Sequence, residues 1–268
     1  MRTAARARGY GALLGAGWRT ALAYRGALLL TALTTALSLV IQLAVWQAVY
    51  ADQREIADYD VTGMTTYLLA GNLLAVLLSN RVDDTLSGDI YRGDHVTGML
   101  RPIGFLGTHA AIALPYLAVR LLLVVAPLLL CALGTVTLAA PAPAGLAWFL
   151  PAALLATTLG ILLNLLVGLA GFVTTSTWGV RYLKGTVVAF CSGQLVPLEL
   201  MPAAARSTLE WLPFTAMVAT PVRLLLGRVE GTAAWGALGL QLLWTALGVL
   251  ACALAWRTAL RRGEVSGG

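Results

Sequence analysis

A stretch of mixed charge, residues 81–101, is the part of the sequence best suited to polar chemistry with a partner. Its sequence is RVDDTLSGDIYRGDHVTGMLR. The carboxylates are Asp83, Asp84, Asp89 and Asp94, and the guanidinium groups are Arg81, Arg92 and Arg101. Charges of both signs can match a charged partner surface, and they can equally well keep a loop in water. The stretch is therefore either a solvated connection or a short helical docking element.

Residues for catalysis are not expected in this chain. A P-loop needs a lysine directly after a Gly-rich turn and before Ser or Thr, and the single lysine, Lys184, stands between Leu183 and Gly185. The two histidines, His95 and His109, have no cysteine or acidic residue at metal-binding spacing within an apolar run. We expect no enzyme activity and no cofactor on this chain.

A second informative stretch, residues 190–227, is apolar but repeatedly interrupted by proline. Its prolines are Pro197, Pro202, Pro213 and Pro221. Proline removes a helical hydrogen bond and clashes with the preceding turn. Broken backbone at membrane depth is tolerated only where protein or a water-filled cavity covers it. The pattern predicts a re-entrant helical hairpin. Its charges, Glu199, Arg206 and Glu210, lie either at head-group level or in a transport path.

The elements that carry these two stretches are apolar. Hydrophobic residues make up 59% of the 268 residues, charged residues make up 11%, and the mean hydropathy is +0.82. A soluble domain has about 25% charged residues. The net charge of +6 does not indicate a nucleic-acid binder, because the basic residues flank apolar runs. The composition predicts an all-α integral membrane protein.

The apolar runs predict six transmembrane helices. Uncharged runs cover 26–50, 61–80, 121–180 and 231–256, and about 20 apolar residues cross a membrane. The 60-residue run would form a helix about 90 Å long, so we expect it to break at Pro141 and Pro143. Arg181 and Lys184 then mark a turn, and a fifth apolar segment starts near Gly185. Residues 1–25 predict an amphipathic interfacial helix.

The distribution of basic residues predicts the orientation. Only four of the 18 Lys and Arg residues lie in segments assigned to the outside, and most of the others flank spans on the opposite side. This bias places both termini in the cytoplasm, including the tail 263–268. Arg120 fits neither group. If the third span begins near Pro102, Arg120 is buried and functional. We favour a start near Leu121, which lets Arg120 snorkel to the surface.

A resemblance to a known family rests on short motifs in both stretches. These are Phe190, Ser192, Gly193, Pro197 and Pro202, then Leu212-Pro213-Phe214, Pro221 and Gly227, together with Ser87-Gly88 and Leu100-Arg101-Pro102. The chain resembles the permeases of the type-2 ABC transporter class, and most closely the bacterial permeases that are encoded in pairs beside one ATPase gene. The resemblance extends over nearly the whole chain.

The resemblance implies a function for each stretch. In that class, the loop between spans two and three docks on the ATPase. It therefore assigns ATPase coupling to Asp83, Asp84, Asp89, Arg92, Asp94 and Arg101. It assigns a re-entrant gate to Gly193, Pro197, Glu199, Pro202, Pro213 and Phe214. Residues 26–262 then form the permease domain of an ATP-driven exporter in a bacterial cytoplasmic membrane. Its partners are ATPase subunits that bind ATP and Mg, a similar or identical second permease, and membrane lipids.

Two other functions remain open at this stage. An ion-coupled secondary transporter places ionisable groups at mid-membrane and shows internal repeats, whereas the predicted spans are nearly free of acids and show no repeat. A membrane scaffold without transport activity has no cavity across the membrane. The sequence does not define the substrate.

Overall fold

The computed structural model describes residues 2–99, 104–141 and 143–265. The α-helices in these ranges are α1 (Arg2–Ala23), α2 (Arg25–Val49), α3 (Val61–Leu78), α4 (Val82–Tyr91), α5 (Asp94–Met99), α6 (Phe105–Arg120), α7 (Ala126–Thr135), α8 (Pro143–Leu169), α9 (Trp178–Cys191), α10 (Ala203–Leu209), α11 (Ala219–Leu225) and α12 (Gly231–Val265). The strands are β1 (Glu55–Ile56) and β2 (Tyr59–Asp60). A π turn covers Leu121–Val125, and 3₁₀ turns cover Ala170–Phe172, Leu198–Leu200 and Thr215–Met217.

Five helical stretches of the described chain are long and apolar enough to cross a membrane. They are Arg25–Val49, Val61–Tyr91, Phe105–Thr135, Pro143–Phe172 and Gly231–Arg261. Lipid offers no partners for backbone polar groups, so apolar segments of this length form helices. The chain is an all-α, multi-pass membrane protein, as the composition predicted. The fifth apolar segment forms α9, whose 14 residues extend only about 21 Å, so a sixth span stays a prediction.

The third apolar stretch begins earlier than predicted. It runs without interruption from Phe105 through α6, the π turn and α7 to Thr135. Arg120 lies near its middle and is only 6% exposed. The prediction that Arg120 snorkels to the surface was therefore wrong. The physical reason is that a neighbouring helix end supplies hydrogen-bond acceptors for its guanidinium group inside the protein.

The turn after α8 also lies earlier than predicted. Residues 173–177 connect α8 and its 3₁₀ turn to α9, which begins at Trp178. Arg181 and Lys184 are therefore part of a helix, not of the turn to which their charge assigned them. Both side chains pair with carboxylates of α4, and these partners allow charged residues inside a helix that packs on the protein.

α3 and α8 run in the same direction, since Gly160 lies beside Leu78 and Gly168 beside Leu86, and they define two ends of the molecule. At the charged end, Leu86 of α4 packs on α8, where a Cβ added to Gly168 would lie 2.8 Å from Leu86 Cδ2. At the hairpin end, Tyr50 Oη donates a hydrogen bond of 2.7 Å to the carbonyl of Tyr59. The strands form an antiparallel hairpin at this end, with Glu55 opposite Asp60. Asp60 then caps α3 by accepting from the Gly63 N–H at 2.8 Å.

α12 runs parallel to α8, from the hairpin end to the charged end. Near its start, Ala234 packs with Ala152 and Leu224, and farther along Cys252 lies in one core cluster with Leu162 and Phe105. The chain therefore leaves the charged end at residues 173–177 and returns to the hairpin end before Gly231. Residues 178–230 make this return as α9 followed by broken, partly 3₁₀ structure.

α1 lies against α6 at the charged half of the molecule. Ala21 is fully buried, and a Cβ added to Gly17 would lie 3.1 Å from Pro115 Cγ. Leu14, Trp18 and Leu22 recur at helical spacing and are each more than 40% exposed. The sequence predicted an interfacial helix here. The exposed apolar stripe suits a lipid surface, and that location stays a prediction.

Candidate functional site

The predicted coupling stretch consists of an anchored helix and an exposed tip. Val82, Leu86 and Ile90 lie one helical turn apart on α4 and are all buried in a core cluster with α8. Beyond this face, Tyr91 is 46% exposed and Val96 of α5 is 59% exposed. α4 is therefore packed on α8 along its length, and the exposed tip continues directly from this packed helix.

Two of the predicted coupling residues face into the protein. Asp83 is 6% exposed, and its Oδ2 accepts from Lys184 Nζ of α9 at 2.7 Å. Asp84 pairs with Arg181 Nη1 of α9 at 2.5 Å and with Arg81 Nη2 at 2.9 Å. Both carboxylates therefore connect α4 to α9, and Asp83 is covered by its own chain.

The other predicted coupling residues lie near the tip. Arg92 Nε donates to Asp94 Oδ2 at 2.9 Å, and Arg92 Nη2 pairs with Asp89. Asp89 Oδ2 also lies 3.4 Å from His109 Nε2 of α6. Arg92 and Asp94 are both more than half exposed, so a partner surface can reach this ion pair. Arg101 lies outside the described residues.

The connection between α3 and α4 is a bent joint held by buried polar groups. Asn164 Nδ2 of α8 donates to the Leu78 carbonyl at 3.2 Å and to Asn80 Oδ1 at 2.9 Å. Lys184 Nζ donates to Asn164 Oδ1 at 2.5 Å. One amide side chain thus links the joint, α8 and α9.

Arg120 completes this joint from the other side. Its Nη1 donates to the carbonyl of Val76 at 2.7 Å and to the carbonyl of Ser79. These carbonyls belong to the last turn of α3, where the helix dipole favours a positive charge. The Tyr116 ring lies 4.9 Å from the guanidinium carbon. The buried interpretation of Arg120, which the sequence left as the alternative, describes its location.

The sequence analysis did not identify Asn80, Asn164 and Lys184 as members of this site. A signal was present for Asn164, because it is the only Asn or Gln side chain in the uncharged run 121–180. A lone amide in an apolar helix usually has a hydrogen-bond partner on a neighbouring helix.

The predicted gate stretch lies at the hairpin end and is packed against α3. Gly193 has φ +80°, and its carbonyl accepts from Tyr67 Oη of α3 at 2.8 Å. Ser192 O accepts from the Ala219 N–H at 3.0 Å. The stretch therefore turns back on itself at Gly193, and α3 covers the turn.

The prolines and Phe214 of this stretch lie at turns, as their chemistry requires. Pro197 directly precedes the 3₁₀ turn 198–200, and Pro202 directly precedes α10, where a missing N–H costs no helical bond. Pro213 and Phe214 lie in the turn that leads to Thr215. Thr215 Oγ1 closes this turn by donating to the carbonyls of Leu209 and Leu212.

Charged residues of the gate stretch form one network. Glu199 Oε1 lies 2.9 Å from Arg223 Nε, and Glu210 Oε1 pairs with Arg223 at 3.3 Å and with Arg206 at 3.1 Å. Glu199 and Arg223 are each at most 20% exposed. Ion pairs with this little exposure satisfy charge inside the protein, so Glu199 holds α11 against the 3₁₀ turn 198–200.

Tyr59 lies beside this network and is fully buried. Burial raises the pKa of Tyr59, and the negative charge of Glu199 raises it further, although Arg228 and Arg223 act in the opposite direction. The Arg228 guanidinium stacks over the Tyr59 ring, with its carbon 3.8 Å from the ring centroid. The phenol therefore stays neutral at physiological pH.

A cavity of about 620 Å³ lies between α3, α4, α8 and α9. Its charged end includes Arg81, Asp84 and Arg181, and its other end includes Gln194 and Met217 of the gate stretch. The cavity therefore extends from the joint towards the hairpin end.

The fold and these two sites define the class of protein. An all-helical multi-pass membrane protein has a charged, helical segment at one end and a broken, proline-rich segment at the other. The family model described as ABC-2 family transporter protein matches residues 36–267, and the chain belongs to this family. It is a membrane component of an ABC transporter, and membership implies partnership with an ATPase. A comparison with curated proteins found no match.

Proposed function

We propose that the chain is one of two permease subunits of an ATP-driven exporter, and that α4 and α5 couple it to separate ATPase subunits. ATP and Mg bind on those subunits. The second permease, identical or similar, supplies the other half of the translocation pathway, and lipids surround the pair. Export as the direction, and a bacterial cytoplasmic membrane as the location, rest on the resemblance to paired permeases.

The observation that carries this proposal is the mechanical link from the exposed tip to the cavity. The tip at Tyr91 and Val96 is exposed, α4 is anchored on α8, and Asp83 and Asp84 bind α9. The same ion pairs line the cavity. A displacement of α4 by an ATPase therefore carries α8 and α9 with it and shifts these cavity walls relative to α3.

Six membrane crossings with both termini in the cytoplasm agree with the path of the chain. Residues 178–230 carry the chain from the charged end to the hairpin end, and α9 is too short to cross alone. The gate stretch supports a re-entrant arrangement, because Gln241 Nε2 of α12 donates to the carbonyl of Ala216 at 2.7 Å. Gln241 lies ten residues after the start of α12, or about 15 Å along it.

Co-purification with the ATPase tests the coupling proposal. We expect Asp94→Arg to reduce the ATPase recovered with the tagged chain about tenfold, because it reverses a charge at the exposed tip. Asp52→Arg is the matched control, since Asp52 is also an exposed acid and lies at the hairpin end. Wild-type recovery with Asp94→Arg and with a second tip variant, Val96→Asp, would place the contact elsewhere.

A further inference from the structure

The cavity between α3, α4, α8 and α9 has an excess of positive charge at one end. Four cationic side chains and two carboxylates line it. They are Arg81, Arg120, Arg181 and Lys184, with Asp83 and Asp84. The carboxylates already pair with Arg81, Arg181 and Lys184. Arg120 is therefore left without an acidic partner among the described residues.

The positive charge of Arg120 is buried and has no ion pair among the described residues. It is 6% exposed, its only described hydrogen bonds go to carbonyls of the α3 end, and its Nε has no hydrogen-bond partner. Burying a cation without a counter-ion is costly, because carbonyl dipoles replace only part of its hydration. Arg181 Nε is likewise buried without a partner. Each of these two arginines thus has a buried donor without a partner, and both residues line the same cavity.

The opposite end of the cavity is apolar. Ala75, Leu163, Val188 and Met217 line it, with Gln194 as the polar exception. A free inorganic anion would fill only the charged end and leave the apolar end of the cavity unoccupied. The occupant that matches the whole cavity has an anionic head and a hydrocarbon body.

We propose that this cavity binds a phosphate-headed amphiphile, with the phosphate between Arg120 and Arg181. A phosphate directs oxygens to several sides and carries up to two negative charges, so it can bridge guanidinium groups on separate helices. The inference rests on the proposed function and deepens it, because it names the substrate class that the permease takes from the charged end.

Photo-crosslinking of the full-length chain in a non-ionic detergent tests this site without the ATPase. The probe is dodecyl phosphate with a diazirine in its chain. We expect it to label peptides of α8 and α9. Unlabelled dodecyl phosphate should compete, whereas dodecyltrimethylammonium and inorganic phosphate should not. Equal competition by the cationic amphiphile would overturn the charge argument, and equal competition by inorganic phosphate would overturn the amphiphile.

Three variants separate binding from folding. Arg120→Gln should weaken binding of the probe about tenfold, which corresponds to the loss of one close charge interaction. Because Arg120 also caps α3, a second variant is needed: Asp84→Asn removes a negative charge from the cavity and should tighten binding severalfold. A merely damaged protein does not gain affinity. Arg54→Gln, at the hairpin end, is the matched control and should bind as wild type.

The outcomes also separate this inference from the proposed function. If Asp84→Asn fails to tighten binding, or if labelling maps outside α8 and α9, the site is wrong even when the ATPase co-purifies. If the probe binds as expected but no ATPase co-purifies, the site stands and the proposed coupling fails.

Discussion

At the scale of single residues, Gly193 is held in a backbone conformation that other residues rarely adopt. Its φ is +80°, and an added Cβ would lie 2.8 Å from Tyr67 Oη. We expect Gly193→Ala to destabilise the protein by about 1–3 kcal/mol, measured as a lower thermal unfolding midpoint. Gly179→Ala is the matched control, because Gly179 has open space around it and lies in a helix. Equal midpoints for the two variants would contradict the strain argument.

Tyr59 gives a second prediction at this scale, concerning alkaline pH. Its pKa is raised by burial, so above pH about 10 the unfolded state loses the phenol proton while the folded state keeps it. The folded state then binds more protons than the unfolded state, and stability falls as the pH rises, by up to about 1.4 kcal/mol per pH unit. Tyr59→Phe removes this contribution. We expect the wild type to lose stability relative to Tyr59→Phe between pH 10 and 11. If the stabilities of the wild type and Tyr59→Phe changed with pH in the same way, Tyr59 would ionise as easily in the folded state as in the unfolded state.

At the scale of elements, α4 is bound so closely to α8 and α9 that the three should move together. Ser87 Oγ accepts from Thr177 Oγ1 at 3.0 Å, just before α9 begins. Because these side chains already meet at their γ atoms, we choose the two positions for a pair of cysteines that cross-links α4 to the start of α9. We expect Ser87→Cys with Thr177→Cys, once oxidised, to keep permease-stimulated ATP hydrolysis within about twofold of the reduced form, because no relative motion is lost when elements move as one body.

The disulfide experiment needs a protein without its native cysteines and a control with a single cysteine. The three native cysteines, Cys131, Cys191 and Cys252, are replaced by alanine, and Ser87→Cys alone controls for oxidation. Abolished hydrolysis in the oxidised pair, with normal hydrolysis in the single variant, would show that α4 slides against α9 during the cycle.

The elements also show what the sequence could predict. Asp60 and the start of α3 at Val61 were predictable, because a capping residue followed by an apolar run is a local signal. The helix break before Pro143 was predictable for the same reason, because proline is also a local signal. The courses of α6 and α9 were not, since each has charged residues whose partners are distant in sequence. Arg181 bonds to Asp84, 97 residues away, and Lys184 bonds to Asp83, 101 residues away. The charge of these residues indicated a surface, whereas their pairing places them in the cavity.

At the scale of the whole molecule, the two ends should lie on opposite sides of the membrane. The hairpin end has exposed residues such as Asp52 and Glu230, and the charged end has the exposed Val96. Apolar helices connect the two ends, so the membrane must lie between them. The apolar surface of α2 and much of that of α12 are exposed, and this is where lipid or the second permease would make contact.

Sided labelling in the cysteine-free background measures this arrangement. We expect a membrane-impermeant maleimide to label Asp52→Cys and Glu230→Cys in intact cells, and Val96→Cys only after permeabilisation. Glu230 is the decisive position, because it follows the gate stretch and precedes α12. If residues 178–230 cross the membrane, Glu230→Cys reacts from the same side as Asp52→Cys, and six crossings follow. Reaction of Glu230→Cys only after permeabilisation would leave that stretch on the charged side and reduce the crossings before α12 to four.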